Sequence, residues 1–448
     1  MAKLHQWFLA AVSLLAASSL SAMVWCRSEM RVRRGADGAD AANEPTDSSF
    51  LAKSDALWRD YAQMQRFVAK SMRETGTPPP GYRALVYVAR EGQWKGRLSG
   101  GIADRTTGMV SLFAVALAYN TAFFIDFPGL SEAYAPGEGN LDLWYDIGSH
   151  VDESSELPNL IDFPFQKEET KALFDSVSTQ PVTFARAGKG SLHRFLLAGK
   201  RSKFRKIKRE LAARDLTLSN AFETLFRYLF SPTKSLIDSL PPGLVTELTD
   251  PETTSILIQV RTGDTNIRFE ESKSEGASKP FSPFPPHRAF FECAHQIETS
   301  LRVSPEQKIA WYLMTDSKHL KKWALAKFGD KIKTTSATAH LYHRKYKKSG
   351  LLGVLGDQYL ASLCDHFVTS IRSGLGLQAA FRGKRVAGRI HVLDNFKDTA
   401  EFDADRDGIE SGRTSNVFHG ITFEEKDRVT LCWPPTPIDV AAEYWSSI

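Results

Sequence analysis

A chain of 448 residues is long enough to bury two domain-sized cores. With 42% hydrophobic and 24% charged residues it has the balance of an ordinary globular protein rather than of a disordered chain. The net charge of +5 is mild; it favours anionic small molecules as partners and gives no basis for a nucleic-acid one.

The first element in chain order is an uncharged run of 19 residues over 7–25, just long enough to cross a bilayer. Lys3 precedes it, and Arg27, Arg31, Arg33 and Arg34 follow. A signal-anchor helix over 1–26 is the expected reading. Ser19, Ser21 and Ala22 leave a cleaved signal peptide as the alternative. Basic residues on both flanks leave the orientation open. Either reading sends the body into the secretory pathway, luminal on a Golgi or endoplasmic reticulum membrane, or secreted if the segment is cleaved. Residues 27–49, rich in Ala, Asp, Gly and Ser, bury too little apolar surface to order themselves and read as a stem. Cys26 lies at the membrane boundary, so Cys293, Cys364 and Cys432 allow at most one bridge and one free thiol.

The body opens with Leu51, Leu57, Trp58, Tyr61, Met64, Phe67 and Val68 at helical spacing, which predicts an amphipathic helix over 50–73. A buried strand follows over 84–89, then a glycine loop, a helix over 104–120 and a strand over 122–126. Strand, glycine loop, helix, strand is a Rossmann-like unit. The region 127–240 reads as irregular and then helical, and 200–209 holds seven basic residues among ten, which reads as a solvated helix face. After the break at Pro241-Pro242-Gly243 a second series begins. It has strands over 256–261, 309–315, 331–335 and 367–370, and helices over 288–300, 317–328, 357–366 and 374–382. Residues 271–287 form a long proline-rich loop, a candidate flexible segment over the site. The expected organisation is two Rossmann-like domains, 50–245 and 246–448, facing across a cleft.

Four segments carry chemistry. Ile256-Leu-Ile-Gln259-Val-Arg261-Thr262-Gly263-Asp264 is a buried strand that ends in a lone arginine and a turn. A guanidinium at the carboxyl end of a strand in an open α/β sheet faces the crevice where ligands bind, and its planar fork suits a diphosphate. In the loop 97–105, Gly100 and Gly101 let the backbone approach a ligand, and the next helix presents its N-terminus, with Asp104 in its first turn. The loop is neither G-x-G-x-x-G nor a Walker A. Trp311-Tyr-Leu-Met-Thr315-Asp316-Ser317 ends a strand in a carboxylate, and Asp316 or Ser317 would cap the helix that follows. The last segment, 356–376, places Asp357 at the head of a helix and then runs through a short strand into a Ser370-x-x-Ser373-Gly374-x-Gly376 turn. Hydroxyls and N–H groups there suit a phosphate, and a carboxylate nearby could accept from guanine N1–H and its 2-amino group.

Together these segments resemble the GT-B fucosyltransferase superfamily, which includes the α1,2-, α1,6- and protein O-fucosyltransferases and the nodulation fucosyltransferases. The resemblance runs over about 85–382. It implies that Arg261 holds the β-phosphate of GDP-fucose, that Asp357 reads guanine, and that Ser373 with the backbone at Gly374 completes the phosphate cradle. Asp316, Gly100 and Gly101 match the rest of the nucleotide-sugar motif, and Gln259 holds a position from which it can still hydrogen-bond the nucleotide. Three positions depart from the pattern: Gln259 stands for the usual histidine, Thr262 for a second arginine, and Ala103 for a third glycine. The implied reaction moves fucose from GDP-fucose to a glycan or glycoprotein hydroxyl, inverting and without a metal or other cofactor. Asp104 is the candidate base. The rivals are a transferase for another GDP-sugar and a catalytically inactive glycan-binding member. No metal site is expected. Asp403, Asp405 and Asp407 imitate an EF-hand loop, but Thr414 stands where its glutamate is needed, and His340 and His343 have no ligand spaced with them.

Overall fold

The computed structural model describes residues 48–89, 101–150, 160–163, 167–187, 192–197, 202–262, 285–301, 306–336, 348–370, 373–383 and 389–393, with short pieces between 417 and 441. The expected anchor, the stem as far as residue 47, Gly100, residues 271–284 of the proline-rich loop, His340, His343 and the acidic loop at 403–407 lie outside these residues. Ser54–Ile448 form one compact unit, which is the unit considered below.

Helix α1 (Ser48–Thr75) lays Tyr61, Gln65, Val68 and Met72 against the body at helical spacing. Strand β1 (Ala84–Val88), helix α2 (Ile102–Tyr119) and strand β2 (Ala122–Asp126) follow. Gln65 treats the edge strand as a neighbouring strand would: its Nε2 donates to Phe123 O at 2.7 Å, and its Oε1 accepts from Phe123 N at 2.7 Å. The outer edge of β2 is thereby closed to other chains. Helix α2 is apolar nearly all round and buries sixteen of its eighteen residues, as a core helix does.

Next come α3 (Leu130–Ala133), β3 (Tyr134–Pro136), β4 (Ile161–Phe163), α4 (Lys167–Thr179) and β5 (Val182–Ala187). Among the described residues the first sheet is parallel, in the order β2-β1-β5-β4. Reading 127–240 as irregular and helical misses β5, which sits in the centre beside β1. Its run Val-Thr-Phe-Ala-Arg-Ala carries the buried Arg186 where a sequence pattern expects an aliphatic residue. Helices α5 (Leu192–Leu197), α6 (Arg205–Ala212) and α7 (Ala221–Leu229), strand β6 (Phe230–Pro232), and helices α8 (Lys234–Asp238) and α9 (Leu244–Thr249) lead out of this half. Basic helix α6 buries only Ile207 and Leu211, in keeping with a solvated face.

The second sheet is built by β7 (Thr253–Val260), α10 (Pro285–Leu301), β8 (Lys308–Thr315), α11 (Lys318–Phe328), β9 (Ile332–Lys333), α12 (Lys348–Ser362), β10 (His366–Ser370), α13 (Gly374–Arg382) and β11 (Ile390–Leu393). Its parallel order, β11-β10-β7-β8-β9, is that of a Rossmann sheet, and the chain reverses direction across the sheet between β7 and β10. Crevices at such a reversal open at the carboxyl ends of the strands. One core cluster runs from β1 and α2 through α7 to α13, β10 and β7, so the two sheets share apolar packing. A buried chain of side chains, Gln358 to Gln378 to Thr106, ties α12 through α13 to α2.

Several boundaries differ from expectation, and those that bear on the site are these. Helix α12 begins at Lys348, so Asp357 lies inside it and does not open it. Strand β9 spans only Ile332–Lys333, and Arg261 lies just past the end of β7. Cys293 on α10 is bridged to Cys432, while Cys364 is free and buried. With its ends 139 positions apart in sequence, the bridge removes loop entropy from the unfolded chain worth up to about 5 kcal/mol in the chain-entropy model.

Candidate functional site

The site grows from the ends of β7, β8 and β10. Past β7, the N–H and hydroxyl of Thr262 both donate to Asp316 Oδ1, at 2.8 and 2.7 Å. The other carboxylate oxygen lies 3.4 Å from Arg261 Nε. Asp316 thus clamps the arginine turn, and Ser317 is the residue that caps α11, accepting from Leu320 N at 3.0 Å. The Arg261 side chain stays 32% exposed against 9% for Asp316, so the fork reaches outward from a buried anchor. Its backbone N–H donates to Ser370 Oγ at 3.3 Å, joining β7 to β10 at the reversal point.

Gln259 is buried on β7, and its Oε1 accepts from Ser370 N at 3.2 Å. Its Nε2 has no hydrogen-bond partner among the described residues. Gly376 makes room for this amide: a Cβ there would stand 2.4 Å from Gln259 Oε1. Ser373 is the buried N-cap of α13, and its N–H donates to Ser370 O at 3.0 Å. At Gly374 the N-termini of α13 and α2 meet. A Cβ at Gly374 would lie 3.2 Å from Ala103 Cβ and 3.4 Å from Asp104 Oδ1. Asp104 Oδ2 accepts from the N–H of Gly101, the N-cap of α2, at 2.9 Å, so the carboxylate is held by its own helix with its other oxygen toward Gly374.

Asp357 comes in from α12. Its Oδ1 accepts from the Tyr312 hydroxyl at 2.9 Å and from the Thr335 hydroxyl. Burial pushes its carboxyl above the usual range, while the Lys321 ammonium and the two hydroxyl bonds pull it back. Lys321, buried on α11, donates to Thr335 O at 3.0 Å. Burial lowers its ammonium, and the nearby charges of Asp357 and Asp316 oppose that shift. One cation therefore bridges electrostatically the arginine's clamp and the buried acid. His287, in the first turn of α10, also faces Asp316; burial lowers it to about 4.

The structure brings together Gln259, Arg261, Asp316, Ser373, Gly374, Gly101 and Asp104, and Asp357 joins them through Lys321. The sequence motifs do not reveal Tyr312, Thr335, Lys321 or His287. For Lys321 there was a signal: Ser317, Leu320, Lys321 and Ala324 fall on one buried stripe of α11, so this lysine stands on an apolar face. Among the described residues, Cys293, His391 and Cys432 draw together as metal ligands would, but the two sulfurs are joined to each other and offer no thiolate.

No protein-family model matches the sequence, and no curated protein is similar to it at a significant level. Solved structures are. An arginine-to-lysine mutant of Arabidopsis thaliana FUT1 in complex with GDP superposes with a TM-score of 0.50 at 15% identity, over 78% of this chain and 80% of that one. NodZ α-1,6-fucosyltransferase soaked with GDP-fucose gives 0.37 at 12% identity, over 70% and 94%. NodZ from Bradyrhizobium gives 0.38 at 12% identity, over 70% and 95%. The NodZ superpositions are too loose to carry an argument. The likeness to FUT1 shows that this chain shares that protein's fold.

Proposed function

We propose that the chain is a GT-B glycosyltransferase that moves fucose from GDP-fucose to a hydroxyl of a glycan or glycoprotein, inverting the anomeric carbon and needing no divalent metal. The observation that carries the reading is Arg261, clamped by Asp316 at the reversal point between β7 and β10, beside the N-terminus of α13. As the bond from the anomeric carbon to the phosphate oxygen breaks, negative charge builds on the β-phosphate of GDP. A preset guanidinium and a helix N-terminus stabilise that charge in the transition state. Asp357, with Oδ1 already held by two hydroxyls, presents its carboxylate to the N1–H and 2-amino edge of guanine. Lys321 offsets the charge of both acids. Asp104 takes the proton of the acceptor hydroxyl as that oxygen attacks.

The disulfide agrees with an oxidising compartment, and the apolar run 7–25 with a luminal body tethered to a Golgi or endoplasmic reticulum membrane. One observation favours a second reading, an inactive glycan-binding member: Thr262 stands where the family pattern has a second arginine, and it gives both its donors to Asp316.

Incubation with GDP-fucose, GDP-mannose and UDP-sugars, read as released nucleotide, decides between them. Release of GDP from GDP-fucose, undiminished by EDTA, is expected. No release from any donor indicates the binding protein. Loss with EDTA and rescue by manganese contradicts the metal-independent mechanism.

A further inference from the structure

A cavity of about 690 Å³ opens at the other end of the same strands. Thr253 and His366, which begin β7 and β10, line it, so it lies a strand's length, about 25 Å, from Arg261. Helix α7 and β6 supply one wall, and the ends of α12 and α13 the other. Its volume is that of a ligand site, and such sites favour seams between packed halves.

Its charges are unevenly satisfied. Glu223 is paired with Arg227. Asp365 Oδ2 accepts from Ser255 N and Oγ, both at 3.0 Å, and Oδ1 lies 3.7 Å from Arg389 Nη1, a loose pair. Asp250 Oδ1 accepts from Glu252 N at 3.0 Å. Arg382 has no carboxylate partner among the described residues. Its guanidinium lies over the Phe226 ring at 3.9 Å, and Nη1 donates to the Tyr134 hydroxyl at 3.3 Å. These contacts hold the fork flat without neutralising it. His366, beside Arg389, is lowered to about 4 by burial and by that cation, so at neutral pH it adds no charge. Tyr359, Phe230 and Leu363, with the hydroxyls of Thr254 and Ser362, complete a lining suited to a sugar ring.

We propose that this cavity binds a sugar-sized anion through its carboxylate or phosphate, with Arg382 as the fork and Arg389 as the second cation. A uronic acid and a sugar phosphate share that chemistry. The inference stands apart from the donor-site reading, since no residue is common to the two.

The test is calorimetric titration of glucuronate, glucose 6-phosphate and neutral glucose into the wild-type chain and into Arg261→Ala, Arg382→Lys and Arg382→Ala. At least one of the two anions should bind wild type and Arg261→Ala alike, and which one does identifies the source. Glucose should bind far more weakly. Arg382→Lys keeps a cation over Phe226 and guards against misfolding, yet should weaken the anion about tenfold by losing the fork. The proposal is overturned if neither anion binds, if glucose binds as well as they do, if Arg382 variants bind undiminished, or if Arg261→Ala abolishes binding.

Discussion

Strands β7 and β10 have an arginine at each end, and the two are held in opposite ways. At the carboxyl ends, Arg261 is clamped by Asp316 and lies among Lys321, His287 and Asp357, beside the opening turn of α13. At the amino ends, Arg382 sits in the last turn of α13, stacked on an aromatic ring. The difference follows from the direction of the helices. A parallel sheet points helix N-termini, with unpaired N–H groups, at its carboxyl edge, where they add to a guanidinium in holding an anion of high charge. The other edge meets helix C-termini, whose carbonyls favour cations and leave an anion to side chains alone. One end therefore suits a diphosphate and the other a single carboxylate or phosphate group.

The largest expected effect that sharpens this contrast is on base choice. Asp357→Ala leaves the guanine donors unpaired in a partly closed site, at a cost of roughly 1–3 kcal/mol. In inhibition assays, the preference for GDP over ADP and UDP should shrink about tenfold. Because Asp357 lies within α12 and not at its start, loss of a helix cap cannot account for such a change. An unchanged preference in the folded variant would remove Asp357 from the site.

Gly376→Ala tests the close approach at the carboxyl end. In a helix that change ordinarily gains a few tenths to about 1 kcal/mol. Here the new Cβ meets Gln259 Oε1 at 2.4 Å and Thr369 Cβ at 3.0 Å, so a net loss of about 1–3 kcal/mol is expected in denaturant unfolding. A stabilised variant would mean that the amide moves aside freely.

A pH dependence is shared by the two ends. His287 and His366 are each lowered from 6.5 to about 4, chiefly by burial. The unfolded chain then binds more protons between these values, so the stability these residues contribute is complete above 6.5 and is lost as pH falls toward 4. Thermal melting should show this decline, and His287→Gln or His366→Gln should flatten part of it. A level profile across that window would contradict the burial of both rings.

Much of this was legible in the chain. The aliphatic runs of β1, β2, β7 and β8 mark buried strands directly, and Gly374–Arg382 was expected almost to the residue. Strand β5 was hidden because Arg186 interrupts its apolar run, and the start of α12 because Gly350, Gly353 and Gly356 break its helical pattern. The motifs named Arg261, Asp316 and Asp357, residues that project from strand ends or a helix into the site. They could not name Tyr312, Thr335 or His287, whose importance comes from what stands opposite them in the fold. Nor did any motif point to Arg382, which acquires its setting from Phe226 and Tyr134 in the other half of the chain.

In the proposed function, the carboxyl ends of β7 and β10 hold a guanine nucleotide diphosphate through the fork of Arg261. Titrating GDP calorimetrically into the wild-type chain and into Arg261→Lys tests it most directly, because the variant keeps the charge and removes the bidentate geometry. Binding by the wild type and a loss of about tenfold or more in the variant are expected, the scale of one charged hydrogen bond. Equal affinity in the two proteins, or no binding of GDP by the wild type, would contradict it.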